Sequence, residues 1–319
     1  MVSADKRQVL PLLTVESESV RNKMLANLRA ALPDEHIDLI DNFSSEQLNE
    51  VDVGIAANPA PAMFKQLPNL VWVQSMWAGI ENMLEDARLN KFKLARLVDP
   101  ILTATMAEAA VAWTLYLHRR MPEYSKLQRN RRWQQLSYKP ASERRVSLLG
   151  LGELGRASAE RLVSNQFQVS GWSRGAKSLP GVTCYAGSDG LEQMLAATDI
   201  LIVLLPLTDA TRALINTRTL ALLPSSSSLI NFARGPVVDS NALLQALDQG
   251  KLDHAVLDVF DKEPLPEESP LWHHERVTIL PHISALTDPG SAAKIAASQV
   301  SAYRDTGILP ETVDLVRGF

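Results

Sequence analysis

The sequence is poor in cysteine, in long hydrophobic runs and in charge of one sign. Cysteine is almost missing, with Cys184 alone among 319 residues. One thiol excludes an internal disulfide framework and suits a reducing compartment. Within the apolar stretch 182–185, Cys184 reads as a buried strand thiol, not a nucleophile. No apolar run reaches the ~18 residues of a membrane span, and the start lacks a basic segment leading into an apolar one. Lys and Arg number 32 against 36 Asp and Glu, a formal net charge of −4. That balance argues against a nucleic-acid or membrane partner. No Cys/His cluster has metal-ligand spacing, so no metal is expected. A cytoplasmic protein follows as the default, with length enough for two domains.

What is present is organised around residues 145–162. Val146, Ser147, Leu148 and Leu149 read as a short buried strand that runs into Gly150, Gly152 and Gly155. A helical pattern follows, with Leu154, Ala157, Ala159 and Leu162. Each glycine has a task in a strand-turn-helix that holds a pyrophosphate: tight turn, close backbone approach, and helix-on-strand packing. The helix then directs its unpaired N–H groups and positive dipole end at the anion. Dinucleotide binding over Gly150, Leu151, Gly152, Glu153, Leu154 and Gly155 is the expectation.

Before this stretch, apolar strand-like runs occur at 8–15, 37–40, 51–56, 71–74 and 93–98, with short helices between. Ser17 stands where it can cap the first of these helices. The alternation implies parallel strands with crossover helices. From Thr103 a single long helical pattern runs to Tyr124, followed by a basic polar stretch with Arg129, Arg131, Arg132 and Trp133. Cations beside an aromatic suit stacked bases, but the acidic net charge favours an amphipathic arm with one aromatic anchor. After the glycine turn, strands are expected at 167–172, 182–185, 200–205, 229–232, 255–259 and 277–280, with a helix at 241–247. The serines at 225–228 read as a polar turn. The fold class is therefore α/β: a doubly wound parallel (Rossmann) domain at 100–285, inserted into a smaller α/β domain of residues 1–99 completed by 286–319.

Ligands of open parallel sheets collect beyond the carboxyl ends of the strands. Arg234, Asp258, Glu263 and His282 all fall at such ends. An arginine can grip a planar carboxylate with two parallel bonds, a histidine can exchange a proton near neutral pH, and a glutamate can orient the ring. Each residue alone has an ordinary reading as a solvated or locally paired group; their joint placement lifts them above it. His254, His273 and His274 read as surface histidines. An acidic residue about 20 positions past the first glycine binds the ribose 2′-OH of NAD. Here 162–180 contains no Asp or Glu, and Ser173, Arg174 and Lys177 suit a 2′-phosphate instead. NADP(H) is preferred over NAD(H) on this reading.

The segments GLGELG (150–155), LLPLTDATRALI (204–215), NFARGPVVD (231–239), LDVFDKEPLPEESPLW (257–272) and LPHIS (280–284) resemble the D-2-hydroxyacid dehydrogenases. GWSRGAKSLPGV and the C-terminal RGF are similar to the glyoxylate/hydroxypyruvate reductases within that family. The resemblance implies NADPH-dependent reduction of a small 2-keto acid. Arg234 would then bind the substrate carboxylate and keto oxygen, with His282 as acid/base paired to Glu263. Asp258 would meet the nicotinamide carboxamide, while Leu205, Pro206, Phe232 and Ala233 would line the cofactor. Trp77, Ala78 and Gly79 would bind substrate from a flavodoxin-like first domain, across a cleft. The helix and arm at 104–136 would form a homodimer. Met76-Trp77 departs from the smaller residues common in the family. Another acid, such as phenylpyruvate or phosphoglycerate, and a non-catalytic nucleotide-sensing protein on the same fold are the alternatives.

Overall fold

The computed structural model describes residues 8–315 and Gly318; Arg317 and Phe319 of the RGF segment lie outside the described residues. The chain divides into two compact units, Met1–Ile101 with Thr287–Phe319, and Leu102–Leu286.

In the first unit, β1 (Gln8–Thr14), β2 (Glu35–Leu39), β3 (Val53–Ala57), β4 (Trp72–Ser75) and β5 (Lys93–Ala95) form one parallel sheet in the order β2-β1-β3-β4-β5. This is the flavodoxin-like order. Helix Glu18–Ala31 and the C-terminal helix Pro289–Thr306 pack on one another. Leu28 and Ala296 are buried there with Leu10, Leu12 and Trp72. The returning helix is also tied electrostatically, since Arg304 Nε meets Glu35 at 2.9 Å and its Nη1 meets Asp52 at 2.6 Å. Ser17 occupies the N-cap position of the first helix, but its side chain caps no N–H.

In the second unit, β6 (Arg145–Leu149), β7 (Gln168–Ser173), β8 (Val182–Ala186), β9 (Ile200–Val203), β10 (Ser228–Asn231), β11 (His254–Leu257) and β12 (Val277–Ile279) are all parallel, ordered β12-β11-β10-β9-β6-β7-β8. Strands β9, β10 and β11 are buried at every residue. Such continuous burial is what a parallel sheet covered on both faces requires. Strand order reverses between β6 and β9, and the crevice for ligands lies at that switch point.

Several expectations need correction. The long helical pattern is two helices, Pro100–His118 and Met121–Arg129. Pro122 lacks an N–H for the His118 carbonyl and its ring would clash there. The chain therefore turns at Arg120, whose φ is +57°. Helix Pro100–His118 is also long and apolar enough, by length and composition, to cross a membrane. Its Met106, Ala110 and Leu117 pack instead with Val146, Ile202 and Ile230 of the sheet. Residues 132–140 have no helix or strand, and Trp133 is fully exposed in the single chain. Helix Gly187–Ala196 was not legible, because Gly187 and Gly190 weaken its helical signal. Cys184 is half-buried, on the edge strand β8. Ser227 is fully buried, donating to the Thr198 carbonyl at 2.7 Å, and Ser228 begins β10. His254 is a core residue, 6% exposed, with Nε2 at 2.9 Å from Thr278 Oγ1. Burial holds its pKa down at about 4.

One buried carboxylate fastens the amino edge of the larger sheet. Asp199, just before β9, accepts from Arg145 Nη2 at 2.6 Å, from the Arg145 N–H at 3.0 Å and from Lys139 Nζ at 3.2 Å. Burial by itself raises this carboxyl, but the bonds from Arg145 and Lys139 outweigh it and hold the pKa at about 2. A folded value below the unfolded one of about 3.9 stabilises the fold fully above that pH, and the gain is lost as pH falls towards 2. Asp199→Asn is expected to cost about 2 kcal/mol at neutral pH. Urea unfolding at pH 7 and at pH 3 measures this, with the gap from wild type narrowing at the lower pH.

Candidate active site

The glycine turn has the geometry its spacing calls for. Gly150 has φ +103°, and a Cβ there would lie 2.6 Å from the Leu204 carbonyl oxygen. A Cβ on Gly155 would lie 1.9 Å from the Gly150 oxygen, so only glycine lets the helix approach the strand end. Gly152 differs: a Cβ there would meet nothing within 4 Å. It is the N-cap of helix Glu153–Ser164, and no side chain caps that end. The first N–H groups of the helix are thus free of a side-chain acceptor beside open space, the arrangement that receives a phosphate. Glu153 pairs outward with Arg156 at 2.9 Å, Leu154 is half-buried, and Leu151 is buried over Gly171. The residues present fit a dinucleotide.

Beyond β7, Ser173 Oγ donates to the Gly175 carbonyl at 2.8 Å, and Arg174 is exposed. Lys177 reaches back, its Nζ donating to the Leu151 carbonyl at 2.7 Å. An ammonium therefore stands at the glycine loop itself. Across the switch point, Leu205 is buried and Pro206 half-buried. Thr211, which sequence reasoning missed, donates to the Pro206 carbonyl at 2.6 Å and accepts from the Thr208 N–H at 2.8 Å. Its signal was the TDAT run, which suits hydroxyl-to-backbone turns.

Three adjacent strands bring the remaining residues to one rim. Phe232 and Ala233 follow β10 with their side chains in the core, so they can offer a ligand only backbone. Arg234 is half-buried and its Nη1 donates to the Ala233 carbonyl at 2.7 Å. Asn231, another residue missed, is buried, bonding the Ala233 N–H through Oδ1 and the Arg234 carbonyl through Nδ2. Gly235 explains why the turn continues as it does. A Cβ there would lie 2.0 Å from the Phe260 carbonyl carbon, so the loops after β10 and β11 touch at the backbone.

In that second loop, Glu263 holds two partners. Its Oε1 accepts from the Phe260 N–H at 2.9 Å, and its Oε2 lies 2.7 Å from His282 Nδ1. An ionised carboxylate is acceptor-only, so the shared proton sits on Nδ1 and the lone pair of a neutral ring is on Nε2. His282 has φ +53°, in the left-handed region that non-glycine residues seldom occupy. Asp258 holds it there. Buried just after β11, its Oδ1 accepts from the Ile283 N–H at 2.7 Å and its Oδ2 from the Ser284 N–H at 3.0 Å. Sequence reasoning gave Asp258 a cofactor contact; the structure adds that both its oxygens clamp the histidine loop.

The first unit carries Trp77, Ala78 and Gly79 in the loop after β4, all half-buried. Ser75 shapes it, its Oγ accepting from the Trp77 N–H at 3.0 Å and donating to the Trp77 carbonyl at 2.9 Å. Met76 is 1% exposed and belongs to the core with Trp72 and Leu97, so this departure concerns packing.

Comparison with known proteins places the chain in a family. The family described as D-isomer specific 2-hydroxyacid dehydrogenase, NAD binding domain, matches residues 111–284. A glyoxylate/hydroxypyruvate reductase A of Klebsiella pneumoniae (strain 342) is 40% identical over 253 residues, 77% of this chain and 81% of that protein. The structure of a D-isomer specific 2-hydroxyacid dehydrogenase from Xanthobacter autotrophicus Py2, in complex with NADPH and MES, is similar with a TM-score of 0.91 and 34% identity. That likeness covers 98% of this chain and 100% of the other. An NADPH-dependent glyoxylate/hydroxypyruvate reductase from Sinorhizobium meliloti, in complex with NADP and sulfate, has a TM-score of 0.87 at 31% identity, covering 98% and 99% of the two chains. The chain belongs to the D-isomer specific 2-hydroxyacid dehydrogenase family and is an NAD(P)-dependent dehydrogenase.

Proposed function

We propose that this protein reduces a small 2-keto acid, glyoxylate or hydroxypyruvate, to the 2-hydroxy acid with NADPH. The observation that carries the reading is the His282–Glu263 pair at 2.7 Å on the rim that also holds Arg234. The cofactor, when bound, supplies the hydride. Arg234 holds the substrate carboxylate through its planar fork and polarises the keto oxygen. His282, oriented through Nδ1 by Glu263, gives that oxygen the Nε2 proton of its imidazolium form and is left as the neutral ring. Gly150, Gly152 and the N–H groups at Glu153 and Leu154 hold the pyrophosphate, with Leu205, Pro206 and the backbone of Phe232 and Ala233 beside the nicotinamide half. Ser173, Arg174 and Lys177 take the 2′-phosphate, a role supported by the lack of any acidic residue over 162–180. Trp77, Ala78 and Gly79 are assigned to substrate binding, and the unit that carries them to the substrate domain.

The reading includes a homodimer through 104–136. Leu115, Met121, Tyr124 and Trp133 leave a run of apolar surface exposed along that segment, as an interface does. A single cysteine and NADPH use suit the cytoplasm.

Three substitutions test the assignments. His282→Ala is expected to slow keto-acid reduction by ~10²–10⁴-fold, the usual range for general acid–base catalysis; near-normal turnover ends that role. Arg234→Lys keeps the charge and loses the two-pronged grip, so kcat/KM for the keto acid falls while NADPH affinity holds. Equal losses in both would make Arg234 structural. Arg174→Ala is expected to cost roughly 1.5–3 kcal/mol of NADPH binding, the scale of a charge-assisted hydrogen bond, and to leave NADH nearly untouched. Quenching of tryptophan fluorescence by each cofactor reads this. Wild-type protein binding NADH as tightly as NADPH would refute the preference.

A further inference from the structure

The chain passes between its two units twice, after Ile101 and after Leu286. One buried carboxylate stands beside both passages. Asp99 is 2% exposed, and its Oδ1 accepts from the Ile101 N–H at 2.8 Å and from Ser291 Oγ at 3.0 Å. The first bond caps helix Pro100–His118, which carries the chain out of the first unit. The second reaches the first turn of helix Pro289–Thr306, which begins just after the chain has returned. The Ser291 N–H is already taken by Asp288 Oδ1 at 2.7 Å, so its hydroxyl is left for Asp99.

Asp99 takes part in no salt bridge among the described residues, and its Oδ2 is buried without a hydrogen-bond partner there. A carboxylate so buried is costly unless something offsets its charge. Two helix N-termini do so here, each directing the positive end of its dipole at the same group. The segment that Asp99 fixes also supports the loop after β4. Leu97, two residues earlier, donates its N–H to the Trp77 carbonyl at 3.1 Å, and that carbonyl also accepts from Ser75 Oγ at 2.9 Å. Trp77 packs against the cluster that contains Leu97, Ala292 and Ala293, so the loop meets both segments that Asp99 joins. The N–H groups of Ala78 and Gly79 donate to nothing among the described residues. Their direction is therefore set by the backbone at Trp77.

We propose that Asp99 is a positioning residue for the reaction. It holds loop 77–79 and the start of helix Pro100–His118 as one rigid piece, so that substrate meets N–H groups already aimed. A loop ordered in advance strengthens substrate binding with no contact from the residue that orders it. The kinetic consequence rests on the reading of 77–79 as a substrate loop; the order of the loop rests on the hydrogen bonds alone.

Hydrogen exchange read by mass spectrometry on the whole chain tests the order of the loop. Steady-state kinetics with NADPH and glyoxylate or hydroxypyruvate test its use. Asp99→Ala is expected to speed exchange in peptides covering 75–79 and 96–101, while peptides covering the glycine turn, 145–155, exchange as in wild type. It should raise KM for the keto acid about tenfold or more and leave NADPH affinity unchanged. Asp99→Asn keeps an oxygen for Ile101 and Ser291 and should restore most of both losses. Unchanged exchange over 75–79 in Asp99→Ala overturns the proposal, as does an equal rise over 145–155, which marks general loosening. Faster exchange with an unchanged KM overturns the positioning role. Asp99→Asn no better than Asp99→Ala overturns the assignment to these hydrogen bonds. If Asp99→Ala fails to fold, Ser291→Ala decides, since it removes the 3.0 Å bond alone. Exchange over 75–79 should then still quicken, and wild-type exchange there overturns the proposal. A wild-type protein that reduces neither acid refutes the keto-acid reading and leaves the exchange test standing.

Discussion

Parallel strands all end at the same edge, and the second unit is built from seven of them. The consequence is a concentration of loops: whatever follows β6, β9, β10, β11 and β12 must emerge side by side. Main-chain groups left unpaired at that edge are then satisfied locally, by Thr211 after β9, Asn231 at the end of β10 and Asp258 after β11. Each of these side chains fixes a stretch of backbone near it. Their combined effect is to tie down the loops that carry Arg234 and His282.

His254 at the start of β11 and His282 beyond the end of β12 show how position relative to a strand decides chemistry. His254 begins β11, is buried, and hydrogen-bonds Thr278. Burial disfavours its charged form and brings its pKa to about 4, so it remains a neutral packing residue across physiological pH. His282 lies past the end of β12, with half its side chain exposed and a carboxylate on Nδ1. The residue type is the same in both; the sheet sets their environments apart.

Much of the frame was legible because it depends on short-range pattern. The spacing of Gly150, Gly152 and Gly155 after a buried strand encodes a turn that can be read without coordinates, and the apolar runs mark the strands to within a few residues. Less visible was anything set by a partner far away in the chain. Asp258 reads as a ligand-facing acid, because nothing in the sequence reveals that its oxygens meet N–H groups 25 and 26 residues later. Nothing local in the sequence marks Gly235, because its requirement comes from the backbone of Phe260 and Asp261. The break at Pro122 was readable in principle, since proline forbids a continuous helix; the long apolar pattern leading up to it concealed it.

The central claim is that the rim of Arg234, Glu263 and His282 reduces a 2-keto acid with NADPH. It is tested most directly by mixing the purified protein with NADPH and either glyoxylate or hydroxypyruvate and following nicotinamide absorbance. The account predicts that absorbance falls with at least one of the two acids and that the matching 2-hydroxy acid accumulates in equal amount. NADPH that binds to the protein yet is not consumed with either acid would contradict it.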